Sequence, residues 1–316
     1  MHPEIEALLT PISRLNRDAL KAMRQQGGGV TDSEARYMVD LYYTMQDMRI
    51  ITGNQTSALD RDAKKTNKTP EPHDSLDWVN TQFRTLEEQI KKILTIYIEQ
   101  HELYWFFEKT TGIGPVLVAG LLAHIDITKA PTAGHIWSFA GLNPNSEWNK
   151  GEKRPFNARL KTICWKIGES FVKTSNHPNG FYGRLYKERK VFEWSRNLSG
   201  ENTQAASKEL NKKKFRNGTD SKAWLTGQCS TELARSMLEE GNTPTMEKCK
   251  SEEGTPMLPP AQLHARAKRY AVKLFLSHLQ YCWWQQSTGE APPKPYVIAF
   301  GEHAHMIEPP QLISTH

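Results

Sequence analysis

Cysteine is scarce and scattered in this chain. Its four cysteines, Cys164, Cys229, Cys249 and Cys282, stand far apart, and no two form a Cys-x-x-Cys pair. That pattern excludes a zinc ribbon and a secreted disulfide scaffold, and it predicts a reducing, cytoplasmic setting. Long apolar runs are missing too. The longest, residues 116–123, is interrupted by Gly120 and falls far short of the roughly 20 residues that span a bilayer. Residues 1–20 have no apolar core of signal-peptide type, so no membrane partner is expected. There is no internal repeat and no carboxylate pair that stands out as an acid–base couple. His303 and His305, even with His264 or His278, have no Cys or Asp at ligand spacing beside them. No metal and no cofactor is therefore expected, and no catalytic residue is assigned.

What is present suits a folded protein. Hydrophobic residues make up 38% of the 316 positions and charged residues 24%, close to ordinary globular usage. The net charge of +6 is unevenly spread. Residues 150–222 hold 18 Lys and Arg against 7 Asp and Glu, a local excess of +11, which leaves about −5 for the rest. A basic stretch in an otherwise slightly acidic chain suits a polyanion partner; the alternative is a solvated basic surface.

The periodicity predicts a mainly α fold. Residues 1–24 read as a helix, broken by Gly27, Gly28 and Gly29. Thr31-Asp-Ser-Glu34 has the capping-box form and opens a second helix reaching about residue 59. Residues 60–73 read as a polar, proline-bearing linker. A long helix is predicted over 75–107, with Leu76, Val79, Phe83, Leu86, Ile90, Ile93, Leu94 and Tyr97 at three–four spacing, as in a bundle or a self-association helix. Residues 158–175 form an amphipathic helix with Leu160, Ile163, Ile167 and Phe171 on one face. Residues 195–260 read as a polar, irregular insertion. A last helix covers about 260–286, ended by Gly289, Pro292 and Pro293, and residues 296–300 read as a short strand or extended arm. The expected organisation is an N-terminal helical region and linker (1–73), a long helix with a hairpin domain (74–194), a polar basic insertion (195–260), and a C-terminal helix with an extended tail (261–316).

The most informative segment is 110–122, Thr-Thr-Gly-Ile-Gly-Pro-Val-Leu-Val-Ala-Gly-Leu-Leu. An apolar helix with Leu103, Trp105, Phe106 and Phe107 enters the turn Gly112-Ile113-Gly114, and a second apolar helix begins at Pro115. Two glycines permit a tight turn with positive φ, and proline at the first helical position sacrifices no hydrogen bond. This is the layout of a helix-hairpin-helix. Its backbone N–H groups at Gly112, Gly114 and Val116 lie at the positive end of a helix, where an anion such as a DNA phosphate binds. Ile113 plugs back between the helices. The competing reading is an αα-corner that binds nothing. A dinucleotide fingerprint is a poor fit, because no strand precedes the glycines and the third glycine is missing.

Residues 105–175 resemble the C-terminal domain of the insertion-sequence transposases that pair a RuvC-like nuclease domain with a serine-bearing domain. The resemblance rests on Thr111-Gly-Ile-Gly-Pro-Val116, on residues 119–126 (Ala-Gly-Leu-Leu-Ala-His-Ile-Asp), on Phe139-Ala-Gly-Leu-Asn-Pro144, and on Asn157-Ala-Arg-Leu-Lys161 opening a helix. It implies DNA contact and a mobile-element or phage setting. It also marks two departures. The first 100 residues show no strands of a RuvC-like fold. Lys153-Arg154-Pro155-Phe156 stand where the family's nucleophilic serine would precede Asn157, and Ser146 lies further upstream. The DNA-contact role carries over and the strand-transfer chemistry does not.

The expected contacts are Gly112, Ile113, Gly114 and Val116 at the hairpin. Lys150, Lys153, Arg154, Arg159 and Lys161 would extend the grip, followed by Lys212, Lys213 and Lys214, then Arg266 and Arg269 on the last helix, where Lys273 shares their spacing. Two other readings stay open. One is an enzyme acting on a base in DNA, glycosylase-like or a phage thymine-hypermodifying transferase, with Asp126, His124, His135 and Glu169 as candidate groups. The other is a helical scaffold that binds protein through the 75–107 helix. Asp126 also suits a capping or turn role. Of the tryptophans, Trp137, Trp148, Trp165, Trp283 and Trp284 suit core positions or base stacking.

Overall fold

The computed structural model describes residues 14–25, 29–66, 74–143, 148–211, 218–293 and 307–312. Among them are thirteen α-helices, two short 3-10 turns and no β-structure beyond one antiparallel bridge between Cys229 and Lys250. The mainly α expectation holds. The expectations for residues 1–13, the 296–300 tail, Lys212 to Lys214, Ser146, His303 and His305 lie outside the described residues.

α1 (Arg17–Gln25) precedes a long hairpin of α2 (Asp32–Lys65) and α3 (Asp74–Glu99). The capping box is present in full: Thr31 accepts from the Glu34 N–H, and Glu34 accepts from the Thr31 N–H at 2.8 Å. α2 runs to Lys65, beyond the expected end near 59, because residues 60–65 (Asp-Arg-Asp-Ala-Lys-Lys) carry no helix breaker. A polar ladder sets the antiparallel register of α2 on α3. The Tyr97 hydroxyl donates to Asp32 at 2.8 Å, Arg49 pairs with Glu87 at 2.6 Å, and the Asn80 amide donates to the Arg49 carbonyl at 2.7 Å. α2 thus packs along α3, as the bundle reading expects, leaving Trp78 and Leu86 exposed. Thr85 and Gln89, off the predicted stripe, are buried because residues 14–25 cross that side, with the Leu15 N–H donating to Gln89 at 2.8 Å.

The helix predicted over 75–107 is broken after Glu99. His101 accepts the Leu103 N–H at 3.1 Å in a turn, and a five-residue helix, α4 (Tyr104–Glu108), follows. The break re-aims the chain so that Leu103, Phe106 and Phe107 enter the core. α5 (Pro115–His124) is apolar on every side and is buried at Val116 and from Val118 to Ala123. A helix hydrophobic all round has to be enclosed, and it packs against α2, α3 and α7 (Ala158–Lys173). Gly120 makes this possible: a Cβ there would lie 2.7 Å from the Ile163 side chain of α7.

α6 (Ala133–Phe139), α7 and α8 (Phe181–Leu198) complete the first core around α13 (Pro260–Thr288). Leu160, Ile163, Ile167 and Phe171 are buried as predicted, and α13 ends at Gly289 in the left-handed conformation. Residues 195–260 differ from the irregular expectation. They hold α9 (Thr203–Leu210), α10 (Thr219–Leu225), α11 (Thr231–Glu239) and α12 (Met246–Cys249) around a second core that includes Trp194, Trp224, Leu225, Cys229, Met237, Cys249 and Met257. Asn197 staples it, exchanging two hydrogen bonds with the Leu258 backbone at 2.9 and 3.0 Å.

Candidate nucleic-acid interface

The hairpin forms at the junction of α4 and α5. Buried Thr110 closes α4, its hydroxyl donating to the Phe106 carbonyl at 2.7 Å. Gly112 then takes φ +95°, a conformation that L side chains rarely adopt. Its carbonyl accepts from Ser170 of α7. Ile113 is half-buried against the first core, as its plug role requires. Gly114 differs from the two-glycine expectation: it is extended, at φ −88° and ψ 169°, and serves as the N-cap of α5 with Pro115 in the first turn. Only one of the two glycines needs positive φ.

The amides divide clearly. The Ile113 N–H reaches the Thr110 carbonyl at 3.4 Å, and the Leu117 and Val118 N–H groups reach the Gly114 carbonyl at 3.0 and 3.1 Å. The Gly112, Gly114 and Val116 N–H groups have no acceptor among the described residues. Gly114 and Val116 are the N-cap and second residue of a ten-residue helix, where backbone donors ordinarily lack an intrahelical acceptor.

The basic residues expected to extend this grip lie elsewhere. α5 and α7 are antiparallel: Gly112 meets Ser170 near the end of α7, whereas His124 meets Asn157, the N-cap of α7, at 3.3 Å. Thirteen helical residues separate these ends, about 20 Å. Lys150, Lys153 and Arg154 are exposed in the loop before Asn157. Arg154 lies over the Trp148 ring at 5.0 Å, and Lys161 lies 4.2 Å over the Phe156 ring. Arg159 pairs with Asp40 of α2. On α13, Arg266 is engaged by Glu193 at 3.3 Å and Asn202 at 2.9 Å, Arg269 is exposed, and Lys273 sits 4.1 Å over Trp137.

A cleft of about 670 Å³ opens at the His124 end of α5, lined among others by Arg36, His124, Asp126, His135 and Phe139. Three of the four groups considered for base chemistry therefore meet, a convergence invisible in a sequence where their roles depend on packing. The fourth, Glu169, is elsewhere, paired with Lys268. Burial, with Arg36 adding to it, holds the His124 imidazole below its ordinary pKa, so it is neutral near pH 7. Arg36 donates to the Ala123 carbonyl at 2.9 Å at the negative end of α5. Asp126 caps the turn Ile127–Lys129 and pairs with Lys129 at 2.8 Å; hydrogen bonds from Lys129 and Thr128 lower its pKa. Its turn role is structural fact.

The remaining candidates are settled by their partners. His264 and His278 are hydrogen-bonded to Tyr186 and Tyr182, each at 2.8 Å. Among the described residues no group of three or more His, Cys, Asp or Glu is placed to hold a metal ion, and no helix is long and apolar enough to cross a membrane. Trp283 is buried, while Trp148 and Trp165 are about half exposed.

Residues 106–162 match the transposase IS116/IS110/IS902 family. The matched segment runs from within α4 to the first turn of α7 and includes the hairpin, while the cleft is lined partly by it and partly by Asp32, Arg36, His101 and Trp283 outside it. Neither a curated protein nor a solved structure matches the chain.

Proposed function

We propose that this is a transposase-like DNA-binding protein of mobile-element origin that grips the DNA backbone through the hairpin at 110–122. The observation that carries this reading is the trio of unpartnered N–H groups at Gly112, Gly114 and Val116, set at the start of a helix that the core holds rigid. The loop with Lys150, Lys153 and Arg154, and Lys161 beside it, forms a second contact about 20 Å away, roughly six base-pair steps along a duplex. Both contacts are to backbone phosphates and read no sequence.

Gly114 offers a clean test. Its φ of −88° lies just outside the proline range, and nothing lies within 4 Å of where a Cβ would stand. Gly114→Pro deletes one N–H donor; Gly114→Ala keeps it. With the fold verified by circular dichroism, duplex affinity should fall about 10- to 100-fold in the proline variant, the worth of a hydrogen bond to a charged group, and stay near wild type in the alanine variant. Equal affinity in all three proteins would remove the hairpin from the interface.

One observation favours a second reading, in which the same grip serves an enzyme acting on a base. The cleft lined by His124, His135 and Asp126 lies beside the basic loop, where a flipped base could enter. Incubation with duplex DNA followed by mass spectrometry of its nucleosides decides it: an altered base supports this reading, and an unchanged composition leaves the binder alone.

A further inference from the structure

A second cleft, also about 670 Å³, lies between α8 and α11, outside the family-matched segment. On the α8 side its lining residues recur at three–four spacing, so they form one helix face: Lys187 and Lys190 first, then Val191 and Trp194. Arg235 and Leu238 of α11 face them. No Asp or Glu lines this cleft. Lys187 is hydrogen-bonded to neutral Asn176, and Lys190 and Arg235 have no carboxylate partner among the described residues. Val191 is 70% exposed, unusual for a valine and unexplained by the core. Trp194 is buried, and its indole N–H has no acceptor among the described residues.

These walls offer donors, cations and an apolar strip, and no carboxylate. A ligand that fits is anionic, rich in acceptors and apolar on one face. A nucleotide unit has that chemistry. The volume is that of a small-ligand pocket, too small to admit a duplex.

We propose that this cleft holds an unpaired DNA strand, with its phosphates on Lys190 and Arg235 and a base against Val191 and Leu238. The proposal rests on the DNA-binding reading above but uses none of the hairpin residues. The chain would then hold duplex at one end of α7 and an opened strand beside the second core.

The test compares the full-length protein with the double variant Lys190→Gln/Arg235→Gln by fluorescence anisotropy, using a mixed-sequence single-stranded oligodeoxynucleotide and the duplex of the same sequence. Both side chains reach solvent and neither belongs to the second core, so the fold is expected to survive. Two lost phosphate contacts make the single-strand salt slope shallower by about 1.4, which is about a 25-fold loss of affinity at 0.1 M salt. Duplex affinity stays unchanged. An unchanged single-strand slope overturns the proposal, and so does an equal loss for both DNAs, which marks general surface charge. If Gly114→Pro leaves duplex binding intact while the double variant loses the single strand, the hairpin reading falls and this one stands.

Discussion

The two hairpin glycines look equivalent in sequence and should respond unequally to alanine. At Gly112 the backbone sits at φ +95°, and an added Cβ would lie 2.9 Å from the Thr174 hydroxyl and 3.4 Å from that of Ser170. A left-handed conformation costs an L residue roughly 1–2 kcal/mol. Thr174 must also give way, yet its hydroxyl is bonded to the Ser170 carbonyl at 3.0 Å, so the total for Gly112→Ala is about 2–3 kcal/mol. At Gly114 the backbone is extended and the space is open. Alanine loses a little as an N-cap and gains a little from a stiffer unfolded chain, so Gly114→Ala stays within about 1 kcal/mol of wild type. Urea denaturation followed by circular dichroism measures both differences. Equal destabilisation, or a larger loss at Gly114, would refute the assignment of the turn to Gly112.

Three further predictions follow from packing and charge. Gly120→Ala should cost about 1–3 kcal/mol by overpacking against Ile163, and adding Ile163→Val, which removes the offending Cδ1, should recover part of it in a double-mutant cycle. Burial holds the His278 imidazole down at about 4, against about 6.5 in an unfolded chain. The unfolded state therefore takes the proton first, so this contribution is intact above about pH 6.5 and is lost as pH falls toward 4, by up to about 3 kcal/mol; His278→Gln should flatten that part of a stability–pH curve. Glu193 is buried between Arg189 at 2.6 Å and Arg266 at 3.3 Å. Glu193→Gln should lower stability by about 2 kcal/mol, since both arginines lose a charged acceptor but can regain some water; an unchanged urea midpoint would count against that role.

Local signals in the chain carried far. The capping box at Thr31, the proline and glycine that bound α13, the buried stripe of α7 and the hairpin turn were all legible, because each depends on residues within a few positions of one another. Fully apolar α5 announced its own burial in the same way. What needed the tertiary structure was everything set by contacts across the chain. The break after Glu99 has no glycine or proline to mark it; it exists because Phe106 and Phe107 have to reach the core. The second core escaped because its helices are too short to show a period and bury Met, Trp and Cys rather than a Leu or Val stripe. The equivalence of Gly112 and Gly114 dissolved once backbone angles were known, since φ is set by what the turn packs against. Likewise the cations at 150–161 and the hairpin amides, near in sequence, stand a helix length apart because α5 and α7 run in opposite directions. The sequence by itself determined that the chain is helical and that a glycine turn joins two apolar helices at 112–114. Only packing decided which charges stand beside that turn, which are already neutralised by partners, and where the clefts open.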